Sequence, residues 1–398
     1  MPTTPPMLTR LGLTPYAFRA TSAYYLAFIG LGVVTASVGP ALPFLSEQVQ
    51  VTLAEASSLV VAQSAGFMLG SFLAGPLTDR VRAHGLFQFC LVVSAACTLA
   101  IPNMPDFPLL LACLFLMGTF VGGIDVGGNI VIVWLFREKF APFLTGLHFI
   151  WGLGALAAPL IIVTFVELTG DLRLSYTIIA GILLVMLLLF IRLPSPAPIR
   201  DRKETRYHIP PRPMFMLIAM MFLAANSEIV VATWLLTYVL RTDLADALTG
   251  GYLNSSLFLG MLGARLASIF LLRRFTIAQI LYGGLFALAA GCLLALAMPA
   301  SLAVLWIAAI LVGVGFAPLI PGYLSLAPNH LPPEGRVTSW MYAGASLGFL
   351  AMPWITGQLF ESVGPQIIWH FSLGGTILSL LLLYALGQMP RYVLKAAA

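Results

Sequence analysis

Residues 118–134 read GTFVGGIDVGGNIVIVW, a glycine-rich and strongly apolar stretch with one acidic residue near its middle. The apolar run around it, residues 108–136, is long enough to cross a lipid bilayer, which takes about 20 apolar residues. A carboxylate at mid-membrane costs roughly 2.5–3.5 kcal/mol, so Asp125 is expected to face a cavity or a partner. Asn129 lies four residues further on and therefore on the same helical face. The stretch predicts a membrane helix with a functional acid; a purely structural polar pair is the alternative.

The composition of the whole chain is that of a polytopic membrane protein. Of its 398 residues, 60% are hydrophobic and 9% are charged, whereas typical soluble chains are about 25% charged. The apolar stretches have the length of helices rather than the roughly 10-residue alternation of an outer-membrane barrel. The net charge of +5 reflects basic residues at the edges of these stretches, so we expect a lipid bilayer as partner and no nucleic acid.

Twelve apolar stretches are found, six on each side of one hydrophilic linker. The predicted fold is therefore an all-α membrane protein with twelve transmembrane helices in two pseudo-symmetric six-helix bundles. The bundles comprise residues 1–193 and 214–398, and residues 194–213 form the linker. The predicted spans are residues 20–45, 58–78, 85–104, 108–136, 143–167, 176–193, 214–240, 250–272, 277–298, 302–324, 337–360 and 367–388.

The basic residues predict the orientation of these spans. When twelve crossings are assumed, all but Arg173, Arg241 and Arg265 of the 20 lysines and arginines fall at one side of the membrane. Cytoplasmic loops carry an excess of Lys and Arg, so this side is predicted to be cytoplasmic. Both termini and the linker are then cytoplasmic, and we expect a multi-pass protein of the cell membrane, the inner membrane of a bacterium.

Two more charged side chains, Glu228 and Arg265, lie within predicted spans. Glu228 is in the seventh span, so each half of the chain carries one acid near the midplane, where transporter sites are usually found. A carboxylate that is alternately wet and dry can bind and release a proton or ligate a sodium ion. The alternative for Glu228 is an acid bonded to a neighbouring helix. Arg265 is closer to the predicted cytoplasmic end, and we expect it to form a structural or gating ion pair.

Polar and aromatic side chains within the spans are candidates for binding a solute. A sugar needs paired hydrogen-bond donors and acceptors, which Asn and Gln supply, and an aromatic platform for its C–H face. Alternatively, the aromatic residues are interface anchors and the histidine is structural. The predicted substrate-binding residues are Gln63, Asn129, His148, Asn226, Trp234, Asn254 and Tyr323.

Several function classes are not indicated by the sequence. We find no glycine-lysine loop that would cradle phosphates, which argues against an ATP-driven pump. We also find no zinc-ligand spacing and no nucleophile elbow, so an enzyme is not expected. The four cysteines lie within apolar segments and are interpreted as small core residues. No cofactor is predicted beyond a coupling proton or sodium ion.

Residues 70–82, GSFLAGPLTDRVR, resemble the signature between helices 2 and 3 of the major facilitator superfamily. Together with the six-plus-six layout, the resemblance implies that helices 1, 4, 7 and 10 line a central cavity. It also implies that Gly75 lies at a tight helix crossing, which small residues permit. Asp79 and Arg80 would then form a gate at the cytoplasmic end.

A narrower resemblance is spread through the chain. Residues 125–129 (DVGGN), 148–159 (HFIWGLGALAAP), 228–238 and 313–321 resemble the branch that contains the fucose permease and the sodium-dependent glucose transporters. The branch implies sugar uptake coupled to protons or sodium, with the acid of helix 4 as the coupling group. By this resemblance Asp125 is the principal coupling residue, with Asn129 and Glu228 as further candidates.

The sequence therefore predicts a secondary active transporter that moves a small polar solute, most simply a sugar, by alternating access with cation symport. Transporters of this fold commonly work as monomers, and we expect a monomer by analogy. A first alternative is a proton-coupled drug or metabolite exporter, which the helix 5 residues Gly152, Gly154 and Pro159 would suit. A second is a non-transporting membrane sensor or scaffold, although two midplane acids would then have no evident use.

Overall fold

The computed structural model describes residues 14–191, 193–196, 209–332 and 335–392, which are predominantly helical. The side chain of Asp79 and most of the predicted linker lie outside the described residues. The first half contains α1 Pro15–Ala36, α2 Val38–Gln48, α3 Leu53–Arg80, α4 Ala83–Ala100, α5 Phe107–Phe136, α6 Phe140–Thr169 and α7 Arg173–Leu188. The second half contains α8 Pro211–Arg241, α9 Ala247–Leu271, α10 Ile277–Ala297, α11 Leu302–Phe316, α12 Leu319–Leu326, α13 Gly335–Ser362 and α14 Ile367–Gly387.

The all-α fold predicted from the sequence is confirmed, and every predicted span coincides with one helix or with two consecutive helices. Ten helical segments in the described part of the chain are long and apolar enough to cross a membrane. Of the remaining helices, α7 is shorter but apolar, and α13 is 28 residues long. The count of twelve crossings and the cytoplasmic position of both termini stay predictions.

Two of the predicted spans are not continuous helices, which corrects the sequence-based boundaries. The span over residues 20–45 breaks at Ser37, between α1 and α2. Pro40 follows this break and lacks the N–H that would donate to the carbonyl of Ala36 in a continuous helix. The span over residues 302–324 breaks in the same way between α11 and α12, where Pro318 lies.

Several helices begin at a polar residue that satisfies the free N–H groups of the first turn. Asp106 accepts a hydrogen bond from the backbone N–H of Leu109 at 2.9 Å at the start of α5. Asp246 accepts one from the backbone N–H of Thr249 at 2.8 Å at the start of α9. Hydrogen bonds from the Thr249 side chain and backbone hold the pKa of the Asp246 carboxyl below its usual range. The cap therefore stays ionised near neutral pH and stabilises the helix start.

The chain forms two compact units that do not coincide with its two halves. The first unit holds the described residues up to Ser37 and those from Ala65 to the start of the linker. The second unit holds residues 38–64 together with the chain that follows the linker. In this structure α2 and the first half of α3 are therefore part of the second unit.

In the first unit, α3 and α5 are packed backbone to backbone. Gly66 and Gly70 on α3 are four residues apart, and a Cβ at either would overlap a backbone carbonyl oxygen of α5, that of Phe115 or Thr119. Gly122 on α5 lies in the same way against the backbone of α3. Small residues at this spacing let two membrane helices approach closely. The backbones of the two helices are therefore in close contact at these three glycines.

The tight crossing implied for Gly75 by the family resemblance is not found at that residue. A Cβ at Gly75 would meet no heavy atom of the described residues within 4 Å. The close approach of α3 to its neighbour is one and two turns earlier, at Gly70 and Gly66. Gly75 lies five residues after Gly70 and therefore on a different face of α3.

The second unit repeats this kind of contact between α9 and α11. A Cβ at Gly313 on α11 would overlap the carbonyl oxygen of Leu257 on α9. A Cβ at Gly260 on α9 would lie 2.5 Å from the carbonyl oxygen of Ile310 on α11. These helices hold the second and fourth predicted spans of their half, as α3 and α5 do in theirs, which is consistent with an internal repeat.

Candidate functional site

Asp125 and Asn129 lie together on α5, as their spacing predicted. The Asn129 amide nitrogen donates to the backbone carbonyl of Asp125 at 2.9 Å and lies 3.4 Å from the Asp125 carboxylate oxygen Oδ1. Both side chains are partly exposed. The carbonyl oxygen of the Asn129 side chain is buried and has no partner among the described residues. This pair presents carboxylate and amide oxygens, which suit a proton, a sodium ion or a solute hydroxyl.

An aromatic ring on α1, Phe28, connects this part of α5 to His148 on α6. A Cβ at Gly128 would overlap the Phe28 ring, so the ring lies directly against the α5 backbone. The same ring meets His148 edge-on, with ring centroids 6.3 Å apart and planes at 81°. The missing side chain at Gly128 thus leaves space for Phe28, which in turn packs on the partly exposed histidine.

Two hydrogen bonds that the sequence analysis did not predict attach α1 to α6 beside this cluster. The indole N–H of Trp151 donates to the Thr35 hydroxyl at 3.1 Å. The Tyr25 hydroxyl donates to the backbone carbonyl of Phe143 at 2.8 Å. Threonine and tyrosine are common in membrane helices, so neither residue type alone would have indicated these contacts. They fix α6, and with it His148, against α1.

In the second unit, Glu228 on α8 and Arg265 on α9 are close enough to interact electrostatically. Both side chains are partly exposed. The attraction between the two opposite charges offsets part of the cost of removing each from water. The position of Arg265 near Glu228 agrees with the structural or gating ion pair predicted for Arg265, and that role stays a prediction.

Asn226 and Asn254 are buried in the second unit rather than open to a solute. The Asn226 amide donates to the carbonyl of Phe371 at 3.3 Å, and the Asn254 amide donates to the carbonyl of Ala232 at 3.0 Å. The side-chain oxygen of each is buried with no partner among the described residues. In this conformation the two amides join helices, and their roles in substrate binding stay predictions.

The two predicted aromatic platforms, Trp234 and Tyr323, are also fully buried, with 0% of each side chain exposed. The Trp234 ring is stacked on Phe360, with centroids 5.0 Å apart. A Cβ at Gly357 would lie 2.9 Å from the edge of the same indole. Neither aromatic ring presents a free face in this conformation, so a sugar could reach them only after the surrounding helices move.

The remaining predicted residues lie at separate places. Gln63 is buried on the part of α3 that belongs to the second unit. Arg80 is exposed at the end of α3. The structure therefore groups Asp125, Asn129 and His148 in the first unit and Glu228 with Arg265 in the second.

A comparison with sequence models of protein families shows which family the chain belongs to. The model of the Major Facilitator Superfamily matches residues 24–338, well over half of the sequence. The chain belongs to this superfamily. It is accordingly a multi-pass membrane transporter and not an enzyme, and the predicted membership of this superfamily is confirmed.

Within the superfamily, the chain is similar to sodium-dependent glucose transporters. It is 27% identical to sodium-dependent glucose transporter 1 of Xenopus laevis, over 81% of this chain and 72% of that protein. It is 35% identical to sodium-dependent glucose transporter 1A of Mus musculus, over 34% of this chain and 32% of that protein. The predicted resemblance to this branch of the superfamily is confirmed.

Solved structures of major facilitator proteins share the fold. A D-xylose–proton symporter superposes with a TM-score of 0.74 over 92% of this chain and 97% of its own, at 14% sequence identity. A nucleoside transporter gives a TM-score of 0.74 over 94% of this chain and 99% of its own, at 12% identity. At such low identity the likeness establishes the fold alone.

Proposed function

We propose that this transporter moves a small polar solute, most simply a hexose or related sugar, by alternating access in symport with a proton or sodium ion. The similarity to sodium-dependent glucose transporters over 81% of the chain is the observation that carries the proposal. We further propose that it works as a monomer in the inner membrane of a bacterial cell.

Asp125 is the proposed coupling residue, assisted by Asn129. A carboxylate within a membrane helix lowers the stability of the folded protein, so such residues usually have a function. A partly exposed carboxylate can hold a cation in one conformation and release it in another. The side-chain oxygen of Asn129 lies beside it without a partner among the described residues. It supplies a second ligand, which is neutral. Cation binding would neutralise the carboxylate and thereby favour the change of conformation that carries the solute across.

The second unit contributes a charged pair and a set of buried polar groups. Glu228 is a second candidate for cation binding, and Arg265 balances its charge when no cation is bound. Asn226, Asn254, Trp234 and Tyr323 are proposed to contact the solute in a conformation in which their helices part, together with Gln63 and His148. Arg80 and Asp79 are proposed to act at the cytoplasmic gate, and Gly75 to give the end of α3 the room to move.

The proposal is tested by solute uptake into liposomes that contain the purified protein. Labelled hexoses, deoxyhexoses and amino sugars are offered separately under an inward sodium gradient and under an inward proton gradient, with protein-free liposomes as control. Accumulation of one sugar class above its outside concentration under one gradient, abolished when that gradient is collapsed, is the expected result.

A ligand screen complements the flux measurement. A ligand at 100 times its dissociation constant adds about 2.7 kcal/mol to the stability of the folded protein, which a thermal shift detects. We expect a shift with one sugar class that depends on sodium or pH. A shift with lipophilic cations alone, together with proton-driven efflux of these cations, would instead identify a proton-coupled exporter. Absence of gradient-driven flux of every sugar and every lipophilic cation offered would reject both the symport proposal and the exporter alternative.

A further inference from the structure

The turn between α9 and α10, residues 270–275 (FLLRRF), carries two adjacent exposed arginines, Arg273 and Arg274. The turn is ordered by its own backbone. The N–H groups of Arg274 and Phe275 both donate to the carbonyl of Leu271, at 2.9 and 2.8 Å. The two guanidinium groups are therefore held on a short, well-defined turn at the end of two membrane helices.

No acidic side chain in the described part of the chain pairs with the positive charge of this turn. Residues 247–333 contain no Asp or Glu, and no ion pair in the described part of the chain involves Arg273 or Arg274. The following helix, α10, starts with the neutral capping pair Thr276 and Gln279, so its positive N-terminal end is also uncompensated. The turn thus favours an anion from outside the chain.

The same turn is lined with exposed apolar side chains. Phe270 is 65% exposed and Phe275 is 48% exposed. The guanidinium carbon of Arg273 lies 5.7 Å above the centre of the Phe270 ring, a cation–π contact that orients the group. These side chains, with Leu271 and Arg274, line an open surface groove of about 400 Å³. A molecule lying along this groove would meet two cations and three apolar side chains.

We propose that the α9–α10 turn is a binding site for an anionic glycerophospholipid. The lipid phosphate would be held by Arg273 and Arg274, and an acyl chain would lie along Phe270 and Phe275. Basic pockets beside transmembrane helices are known to bind lipid head groups. The apolar walls favour this occupant over a free phosphate ion, which would gain nothing from contact with two phenyl rings.

The location of the site agrees with such an occupant. The turn connects two helices that are each long and apolar enough to cross the membrane, so it lies at the level of the lipid head groups. The tendency of loops on one side to be basic accounts for the two arginines alone. It gives no reason for the two exposed phenyl rings that flank them, one of which lies under the Arg273 guanidinium group.

The test is native mass spectrometry of the detergent-purified full-length protein, titrated with phosphatidylglycerol or with phosphatidylethanolamine of the same acyl chains. Each arginine near an anionic head group contributes roughly a fivefold gain in affinity, so the double substitution Arg273→Gln/Arg274→Gln should weaken phosphatidylglycerol binding about 30-fold. The matched control Arg241→Gln/Arg391→Gln removes the same charge at exposed arginines elsewhere and should leave the affinity unchanged. Thermal melting of all three proteins verifies that they remain folded.

Two further arms distinguish the occupants. Phe270→Ala/Phe275→Ala should weaken binding of phosphatidylglycerol while both arginines remain, because the acyl chain loses its contacts. Inorganic phosphate at millimolar concentration should not displace the lipid. The proposal is overturned if the control double variant loses as much affinity as the arginine pair, or if phosphatidylethanolamine binds as tightly as phosphatidylglycerol. Competition by free phosphate would likewise reject the lipid and identify a simple anion site.

Discussion

The carboxylate of Glu361 on α13 accepts a hydrogen bond from the backbone N–H of Leu53 at 3.0 Å. Leu53 is the first residue of α3, where backbone N–H groups have no partner within the helix. A second bond lies beside it, from the Gln358 amide to the carbonyl of Ala54 at 2.9 Å. These two bonds form a polar seam that joins the first turn of α3 to α13 in the second unit.

We expect Glu361→Ala to lower the free energy of unfolding by about 1 kcal/mol, the usual effect of removing a side chain that caps a helix N-terminus. Glu361→Gln keeps an acceptor oxygen and should lower the free energy of unfolding by less. Thermal unfolding of the purified protein measures both. Glu167→Ala, at an exposed position near the end of α6, is the control and should be neutral; an equal loss in the control would contradict the role of the seam.

Gly357 on α13 allows the helices at this seam to close. A Cβ there would overlap Ser57 on α3 and lie 2.9 Å from the Trp234 ring. Gly357→Ala should therefore destabilise the protein by about 1–3 kcal/mol through overpacking. Gly374→Ala, where nothing lies within 4 Å, should be neutral or slightly stabilising. Gly357→Ala should cost less stability in a Ser57→Gly background than in the wild-type protein, because the overlapping Cβ of Ser57 is then absent. An equal cost in both backgrounds would contradict a clash with Ser57.

Gly128 is the position at which Phe28 contacts α5, so an added methyl group should push the ring away. We expect Gly128→Ala to cost about 1–3 kcal/mol in stability and to slow solute exchange in liposomes, because His148 loses its packing partner. The control is Gly181→Ala on α7, which has open space around it. Phe28→Leu in the Gly128→Ala background should recover stability, since the smaller side chain leaves room for the methyl group.

Asp125→Asn should separate solute exchange from accumulation. The amide keeps the size and hydrogen bonding of the side chain but does not bind and release a cation as the carboxylate does. We expect exchange of solute between the two sides to continue while gradient-driven accumulation is lost. Asp106→Asn, a helix cap for which Asn is equally good, should behave as wild type. Full accumulation by the Asp125 variant would remove this residue as the coupling group.

The interaction between Glu228 and Arg265 predicts a non-additive result. Glu228→Gln or Arg265→Gln alone leaves one charge without its counterpart, and each should be destabilising. The double variant should lose less stability than the two single variants lose together. The difference should be a coupling energy of about 0.5–3 kcal/mol, which is typical of interacting residues. Strictly additive changes in thermal stability would show that the two side chains act independently.

The positions of the helices followed from hydrophobicity alone, since an apolar run of about 20 residues has few other stable conformations in a membrane. The pairing of Asp125 with Asn129 also followed from sequence, because a spacing of four residues fixes a helical face. The breaks near Ser37 and Pro318 were missed because proline also occurs inside unbroken helices of this chain, as Pro43 and Pro353 do.

The partners of each side chain across helices could not be predicted in the same way. Burial of Trp234 and Tyr323 depends on how closely neighbouring helices approach, and that distance is set at residues such as Gly357 that have no side chain. The contact between Phe28 and α5 was not predicted for a related reason. It forms at Gly128, and a glycine gives no hydropathy signal that would indicate which side chain packs against it. Sequence periodicity reports which face is apolar, not which atoms fill it.

Because α3 and α5 are in backbone contact, the tolerance of amino-acid substitutions should differ strongly from one position to the next along these helices. At Gly66, Gly70 and Gly122, every missense codon introduces at least one carbon atom where a carbonyl oxygen of the opposite helix already lies. The lipid-facing residues beside them, Leu69 and Phe72 among them, need only remain apolar. In a saturation-mutagenesis library of α3, we therefore expect only glycine to be tolerated at a few positions. The many positions around them should accept any apolar side chain.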